Sequence, residues 1–345
     1  MLLTPVPAVI AANAGVGKPW AHHATGVLCG LLAGATFLFG AIDVAASGSG
    51  DPISLLVSHP VDAGLMVTAL LAALLTAKPV RERVARVLPL DPDNPVHAVA
   101  MVLGVILLGS QVSAIAFSDV LAADLKLPPL SLADLLWQEL PFLILAAVGV
   151  GMYLRRDFTD SALRLGLVRP RAWQVALALA AAGAFYALGA ASQGLSQTLT
   201  PALAERVDQT STHLFSALDN PVGIVALALI PGICEEVLFR GALQPRLGLV
   251  ATAVLFTAIH TEYGFSIDVG TIFVIAIGLG LVRRYANTTA CCVSHVTYNL
   301  ITGTGLPGSL VWIALAFEVA MIAFVIYMLL TRNRKAEEPV NAGLG

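Results

Sequence analysis

Charge is scarce in this chain: Asp, Glu, Lys and Arg make up 12% of its 345 residues, against roughly 25% in an ordinary soluble domain. With 57% of residues hydrophobic, a water-soluble fold would expose more apolar patch than solubility tolerates. Lipid is therefore the expected solvent. Cysteine is equally sparse, and the four present, Cys29, Cys234, Cys291 and Cys292, sit in or beside apolar runs without CxxC spacing. That pattern points to neither a disulfide framework nor a zinc site, and leaves the cysteines as small buried hydrophobes. There is no tandem repeat and no hydrophilic stretch long enough for a separate soluble domain; the formal net charge of -3 says little about partners, and no nucleic-acid partner is expected. The first twenty residues lack the basic start of a cleaved signal, and Pro5 and Pro7 break their apolar run, so they are expected to stay on the mature protein.

What the chain does have is long hydrophobic runs. A helix needs roughly 17 to 25 apolar residues to cross a hydrocarbon core, and runs of about that kind fall at 24–46, 62–77, 96–118, 137–154, 172–192, 220–239, 247–262, 267–283, 288–303 and 309–331. The second, seventh and ninth are short. Threaded alternately across a membrane, these spans put 17 of the 19 basic residues on one side, leaving only Lys126 and Arg206 opposite. Basic residues mark the cytoplasmic side. The expected fold is thus all-α, a polytopic transmembrane bundle of about ten spans with both termini cytoplasmic, in the cell membrane. Arg240 fits this sorting least well, because it can lie inside a helix. The loop at 193–219 is expected to hold a short amphipathic helix, and the Arg-rich segment 155–171 can either lie on an anionic leaflet or simply anchor the topology.

Ionisable groups inside a span are costly and mark function by default. The sequence PGICEEVLFRG at 231–241 places Pro231 and Gly232, which weaken a helix, just before two carboxylates. Glu236 and Arg240 stand at i, i+4 and can pair, while Glu235 is turned away by about 100° and stays available as a proton acceptor. A salt-bridge cluster at a helix end is the plainer alternative. Phe256 and His260 share a face at i, i+4, as do His295 and Asn299; the latter pair can aim two hydrogen bonds at one oxyanion or serve as helix–helix glue. Counting from the helix ends at about 1.5 Å per residue puts Glu235 and His295 roughly 10 Å deep and His260 nearer 20 Å. Reconciling those depths requires a higher turn near 240–247 or a tilted seventh helix.

In order and spacing these motifs, EExxxR at Glu235, Glu236 and Arg240, FxxxH at Phe256 and His260, and HxxxN at His295 and Asn299, resemble those of the CAAX-protease and bacteriocin-processing (CPBP, Abi) family of intramembrane glutamic endopeptidases, which includes the type II CAAX prenyl endopeptidases. The resemblance implies a protease-like membrane core over 96–331; outside it lie a region 1–95 with two additional helices, about which the resemblance says nothing, and an expected cytoplasmic tail at 332–345. It implies that Glu235 and His260 activate a water and that His295 and Asn299 stabilise the oxyanion. Glu236 and Arg240, with Phe256, would support the site. The substrate would be a membrane-anchored or lipidated protein or peptide, cleaved without metal or organic cofactor.

Three other chemistries compete. Glu235, His260 and His295 could ligate zinc, but no HExxH is present and no carboxylates suited to support a metal are evident. The GSGD at 48–51 matches the GxGD of aspartyl intramembrane proteases but lies in a Gly/Ser loop without a second aspartate in a neighbouring span. No convincing GxSx nucleophile accompanies a His. A non-catalytic scaffold or immunity factor, or a transporter, is the alternative from another class; Glu318 in the last span is the residue that most favours an ion path, against pairing with an interior Arg or His.

Overall fold

A computed structural model describes residues 3–47, 51–305 and 308–341. The chain is 82% helical and without strands among these residues. The glycines of the GSGD motif, Gly48 and Gly50, lie outside the described residues.

The N-terminal part comprises α1 (Val6–Ala14), α2 (Ala21–Ala46), α3 (Pro52–Ser58), α4 (Pro60–Leu74), α5 (Lys78–Val84), α6 (Pro95–Phe117) and α7 (Val120–Asp124). There follow α8 (Leu132–Val150), α9 (Phe158–Leu165), α10 (Ala172–Leu199) and α11 (Pro201–Phe215). The C-terminal part holds α12 (Pro221–Glu236), continued by a π-helical segment Val237–Leu243, then α13 (Gln244–Leu247), α14 (Leu249–Ala258), α15 (Ile267–Tyr285), α16 (Thr288–Thr304) and α17 (Val311–Asn341).

Local chemistry sets many of these boundaries. Proline occupies the first helical positions of α3, α4, α6, α11 and α12, where its missing N–H costs nothing. Side chains of Asp51, Asn94, Asp119, Asp157, Asn220, Ser266 and Asn287 cap the helices that follow them, and Ser131 with Asp134 forms a capping box at the start of α8. Gly151 and Gly166 close α8 and α9 in the left-handed conformation, as helix ends commonly require.

Five helices, α2, α6, α8, α10 and α12 with its continuation to Leu247, are long and apolar enough to cross a membrane, and the pair α4 and α5, bent by 96°, makes a sixth if taken as one broken span. Arg81 explains the bend. Its guanidinium is buried and donates to the carbonyls of Leu75, Thr76 and Pro92 at 3.0, 2.6 and 3.0 Å, capping the end of α4. α2 turns Val27, Leu31, Leu38 and Ile42 outward, each about 60% exposed, as suits a lipid-facing wall. The loop expected at 193–219 does contain a helix, α11, and the Arg-rich segment contains the short α9.

One hydrophobic core runs from Ala8 and Val9 through Val99, Val102 and Ala146 to Phe239, Phe256 and Cys292. The N-terminal helices are therefore built into the bundle. Asn13, fully buried, donates to the carbonyls of Val9 and Val148 at 3.1 and 2.8 Å and accepts from Arg155 Nε and Nη2 at 3.0 and 2.7 Å. That ties α1 to the end of α8. All four cysteines are buried and unpaired.

Candidate active site

The site is centred on α12 and α16, which approach closely at Gly232. A Cβ at Gly232 would lie 2.8 Å from Val296 Cγ2 and 3.0 Å from the Val296 backbone nitrogen, so only glycine permits this distance. The helix continues through Pro231 and then widens: the amide of Gln244 donates to the carbonyl of Phe239, a five-residue step that defines the π conformation. This extension carries Arg240 inside the bundle at 0% exposure, which corrects its placement in a cytoplasmic loop. A guanidinium at that point is retained because its partners are also buried there.

Those partners form a closed set. Arg240 Nε lies 3.2 Å from Glu236 Oε2, an ion pair with both side chains essentially inaccessible, and Arg240 Cζ stands 4.7 Å above the centroid of Phe256, a cation–π contact. The other oxygen of Glu236 meets His295 Nδ1 of α16 at 3.1 Å. Phe256 is flanked by His260, with ring centroids 4.8 Å apart, and by Phe239 edge-on at 5.3 Å, and its centroid is 6.0 Å from that of His295. The expected Glu236–Arg240 pair is present across the junction of α12 with the π segment.

His260 lies just beyond the end of α14, where its Nδ1 is 2.9 Å from the carbonyl oxygen of Phe256. A carbonyl only accepts, so Nδ1 carries the proton and, in the neutral ring, Nε2 keeps its lone pair. Asn299 Nδ2 donates to the carbonyl of Leu227 on α12 at 3.3 Å, leaving a second N–H and the amide oxygen for other contacts. His295 spends Nδ1 on Glu236, so Nε2 is the nitrogen left to meet a ligand.

Glu235 is buried like its neighbour but lacks, among the described residues, the ion pairs that hold Glu236. It is 5% exposed, and its Oε2 is buried without a protein partner. The groups that act on its charge are Glu139 of α8, Glu236, Glu262 and Arg240. Glu139 is 8% exposed, and its own Oε2 has no partner. This carboxylate was missed in the sequence, although it sits within an apolar run before Pro141 and the rule that singled out Glu318 applies to it equally. Glu318 packs against Gly183 of α10, makes no ion pair among the described residues, and leaves Oε1 buried without a partner.

Among the described residues no group of three or more His, Cys, Asp and Glu is arranged to hold a metal ion; Glu235, His260 and His295 do not form such a set. A small cavity between α2, α4 and α6, lined by His22, Thr25, Cys29, Arg81 and Val102, involves none of the motif residues.

Residues 217–301 match the family described as Type II CAAX prenyl endopeptidase Rce1-like. Over this stretch, about a quarter of the chain, the protein is similar to the Rce1-like family. The matched segment contains Glu235, Glu236, Arg240, Phe256, His260, His295 and Asn299, while Glu139 and Glu318 fall outside it. No curated protein and no solved structure matches the chain. The Rce1-like family is one of CAAX-type proteases, so the match supports peptidase activity, and together with the several apolar helices it supports a multi-pass membrane protein.

Proposed function

We propose that the protein is a glutamate-dependent intramembrane endopeptidase in which Glu235 and His260 activate a water against the scissile carbonyl of a membrane-anchored or lipidated substrate. The observation that carries this reading is the division of labour between adjacent carboxylates. Glu236 is held by Arg240 on one oxygen and His295 on the other, whereas Glu235 Oε2 is unpartnered. A buried, unengaged carboxylate is what a general base requires. The water loses a proton to Glu235 as its oxygen bonds to the carbonyl carbon. His260 Nε2, with its lone pair, orients the water by accepting its other hydrogen.

The tetrahedral oxyanion then receives hydrogen bonds from Asn299 Nδ2 and from His295 Nε2 when that ring is doubly protonated. Collapse breaks the C–N bond, and the proton taken by Glu235 passes to the leaving amine. Arg240, Glu236 and Phe256 hold His295 and His260 in place. The reading routes no step through a metal.

Ten spans with both termini in the cytoplasm, a protease core over 96–331 and an N-terminal addition over 1–95 complete the proposal, supported by the one-sided distribution of basic residues. The short α14, ten residues long and about 15 Å in extent, then serves as a partial span buried by its neighbours. The test is a comparison of membrane and secreted proteomes from cells expressing the wild type and Glu235→Gln. Cleavage products should drop by about a hundredfold or more at unchanged protein level. Identical product profiles would overturn the catalytic assignment and leave a scaffold, whereas substrate flux in liposomes carrying either protein would indicate a transporter.

A further inference from the structure

Five arginines gather at the end of the bundle where α8 and α15 finish and the extension of α12 turns into α13. Arg155 and Arg156 follow α8, Arg164 lies on α9, Arg246 on α13 and Arg283 near the end of α15. They act on one another: the guanidinium of Arg164 is pulled down to about 10 by its burial and by Arg246, Arg156, Arg283 and Arg155 in turn. Arg155 is lowered by burial, Arg156 and Arg246.

The hydrogen bonds that four of them make go to neutral acceptors. Arg155 donates to Asn13 Oδ1, Arg156 to the carbonyl of Val150, Arg164 to that of Gly241 at 3.4 Å, and Arg283 to that of Arg240 at 3.1 Å. These contacts supply geometry and no countercharge. Among the described residues none of the five has a carboxylate within ion-pair distance; the basic side chains so paired are Lys78, Arg206, Arg240 and His295. Arginines that served only to orient the chain would stand apart in water, yet Arg164, Arg246 and Arg283 are half-buried and crowded.

Apolar side chains frame the cluster and face outward. Tyr153 is 78% exposed, Phe158 62%, Leu163 59% and Val250 60%. An interfacial segment that dips apolar side chains into acyl chains while presenting arginines at headgroup level has this pattern. A soluble anion would satisfy the charge and leave the apolar side chains in water.

We propose that Arg155, Arg164 and Arg246 form a binding site for the phosphate of an anionic phospholipid headgroup, with Tyr153, Phe158 and Leu163 against its acyl chains. The guanidinium fork matches phosphate oxygens, and the lipid supplies the countercharge that the protein omits. Because Arg164 and Arg283 also hold the carbonyls of the π segment, an occupied site braces the turn that carries Arg240. The site is independent of the peptidase reading.

The experiment is native mass spectrometry of the full-length protein released from detergent with added phosphatidylglycerol or phosphatidylcholine. Wild type should retain phosphatidylglycerol preferentially, Arg164→Gln/Arg246→Gln should retain about tenfold less, and Arg206→Gln, at the other end of the bundle, should match wild type. Equal retention of the two lipids, or wild-type retention by the double variant, overturns the proposal. Inorganic phosphate that protects the wild type against heating as well as phosphatidylglycerol does would overturn the lipid assignment. If the double variant does not fold, the salt dependence of wild-type retention decides: a charge-held headgroup is lost as ionic strength rises, and salt-independent retention refutes the site.

Discussion

Glu236 of α12 and His295 of α16 touch at 3.1 Å across an interface that Gly232 and Val296 close to backbone contact. The carboxylate is fully buried, and its other oxygen faces Arg240. One residue therefore joins two of the three motifs, and the third enters through the ring of Phe256 beneath the guanidinium.

Glu236→Gln leaves Arg240 buried without a countercharge. Breaking a buried pair from one side costs about 3–5 kcal/mol, so thermal unfolding in detergent should begin well below the wild type. Glu236→Gln/Arg240→Met should recover much of that loss, because an apolar side chain replaces the stranded charge.

Gly232→Ala forces α12 away from α16. Overpacking of this kind costs roughly 1–3 kcal/mol, and the displacement falls within four residues of both glutamates, so cleavage should drop along with the melting temperature. Gly26→Ala is the control. No atom lies within 4 Å of a Cβ there, and in a helix the change should stabilise by roughly 0.5–1 kcal/mol.

Asn13→Ala removes the side chain that links α1, α8 and Arg155. Unsatisfied buried partners cost about 1–3 kcal/mol. Proteolysis should then become faster within the first twenty residues, and equal cleavage rates for variant and wild type would refute the tie.

Glu139→Leu replaces a buried carboxylate whose Oε2 has no partner. Burying a polar group without a partner is unfavourable, so the variant should melt at a higher temperature. A fall would mean that the carboxylate contributes stability that the unpartnered oxygen does not account for.

Much of the site could be read from the sequence because its spacing is helical. The i, i+4 pairing of Glu236 with Arg240 and the turning-away of Glu235 both follow from 3.6 residues per turn. The depth mismatch between Glu235 and His260 was also visible, and its cause is now plain: the sixth helix runs on through a π segment to Leu247, and α14 is short, with His260 beyond its end. That extension was not legible, since nothing in VLFRGAL distinguishes five-residue from four-residue hydrogen bonding. The role of Arg81 as an end cap was not legible either, because a hydropathy scan cannot register a guanidinium that satisfies the carbonyls of a helix end. Glu139 was as legible as Glu318, a carboxylate within an apolar run, but with leucines four residues to either side it carries none of the i, i+4 polar pairing that marks the motifs.

The widened turn at Val237–Leu243 has a consequence for how this segment tolerates change. Relative to an ordinary helix it is one residue long, and everything after it is rotated by about 100° from where an unbroken 3.6-residue pitch would set it. Conservative exchanges of its apolar side chains leave that phase untouched. Excision of one of these residues would let an ordinary 3.6-residue pitch reach Arg246 and the start of α14 in nearly the same phase, whereas insertion of a further residue would swing them around the axis. The stretch should thus accept many spellings, and shortening by one residue better than lengthening.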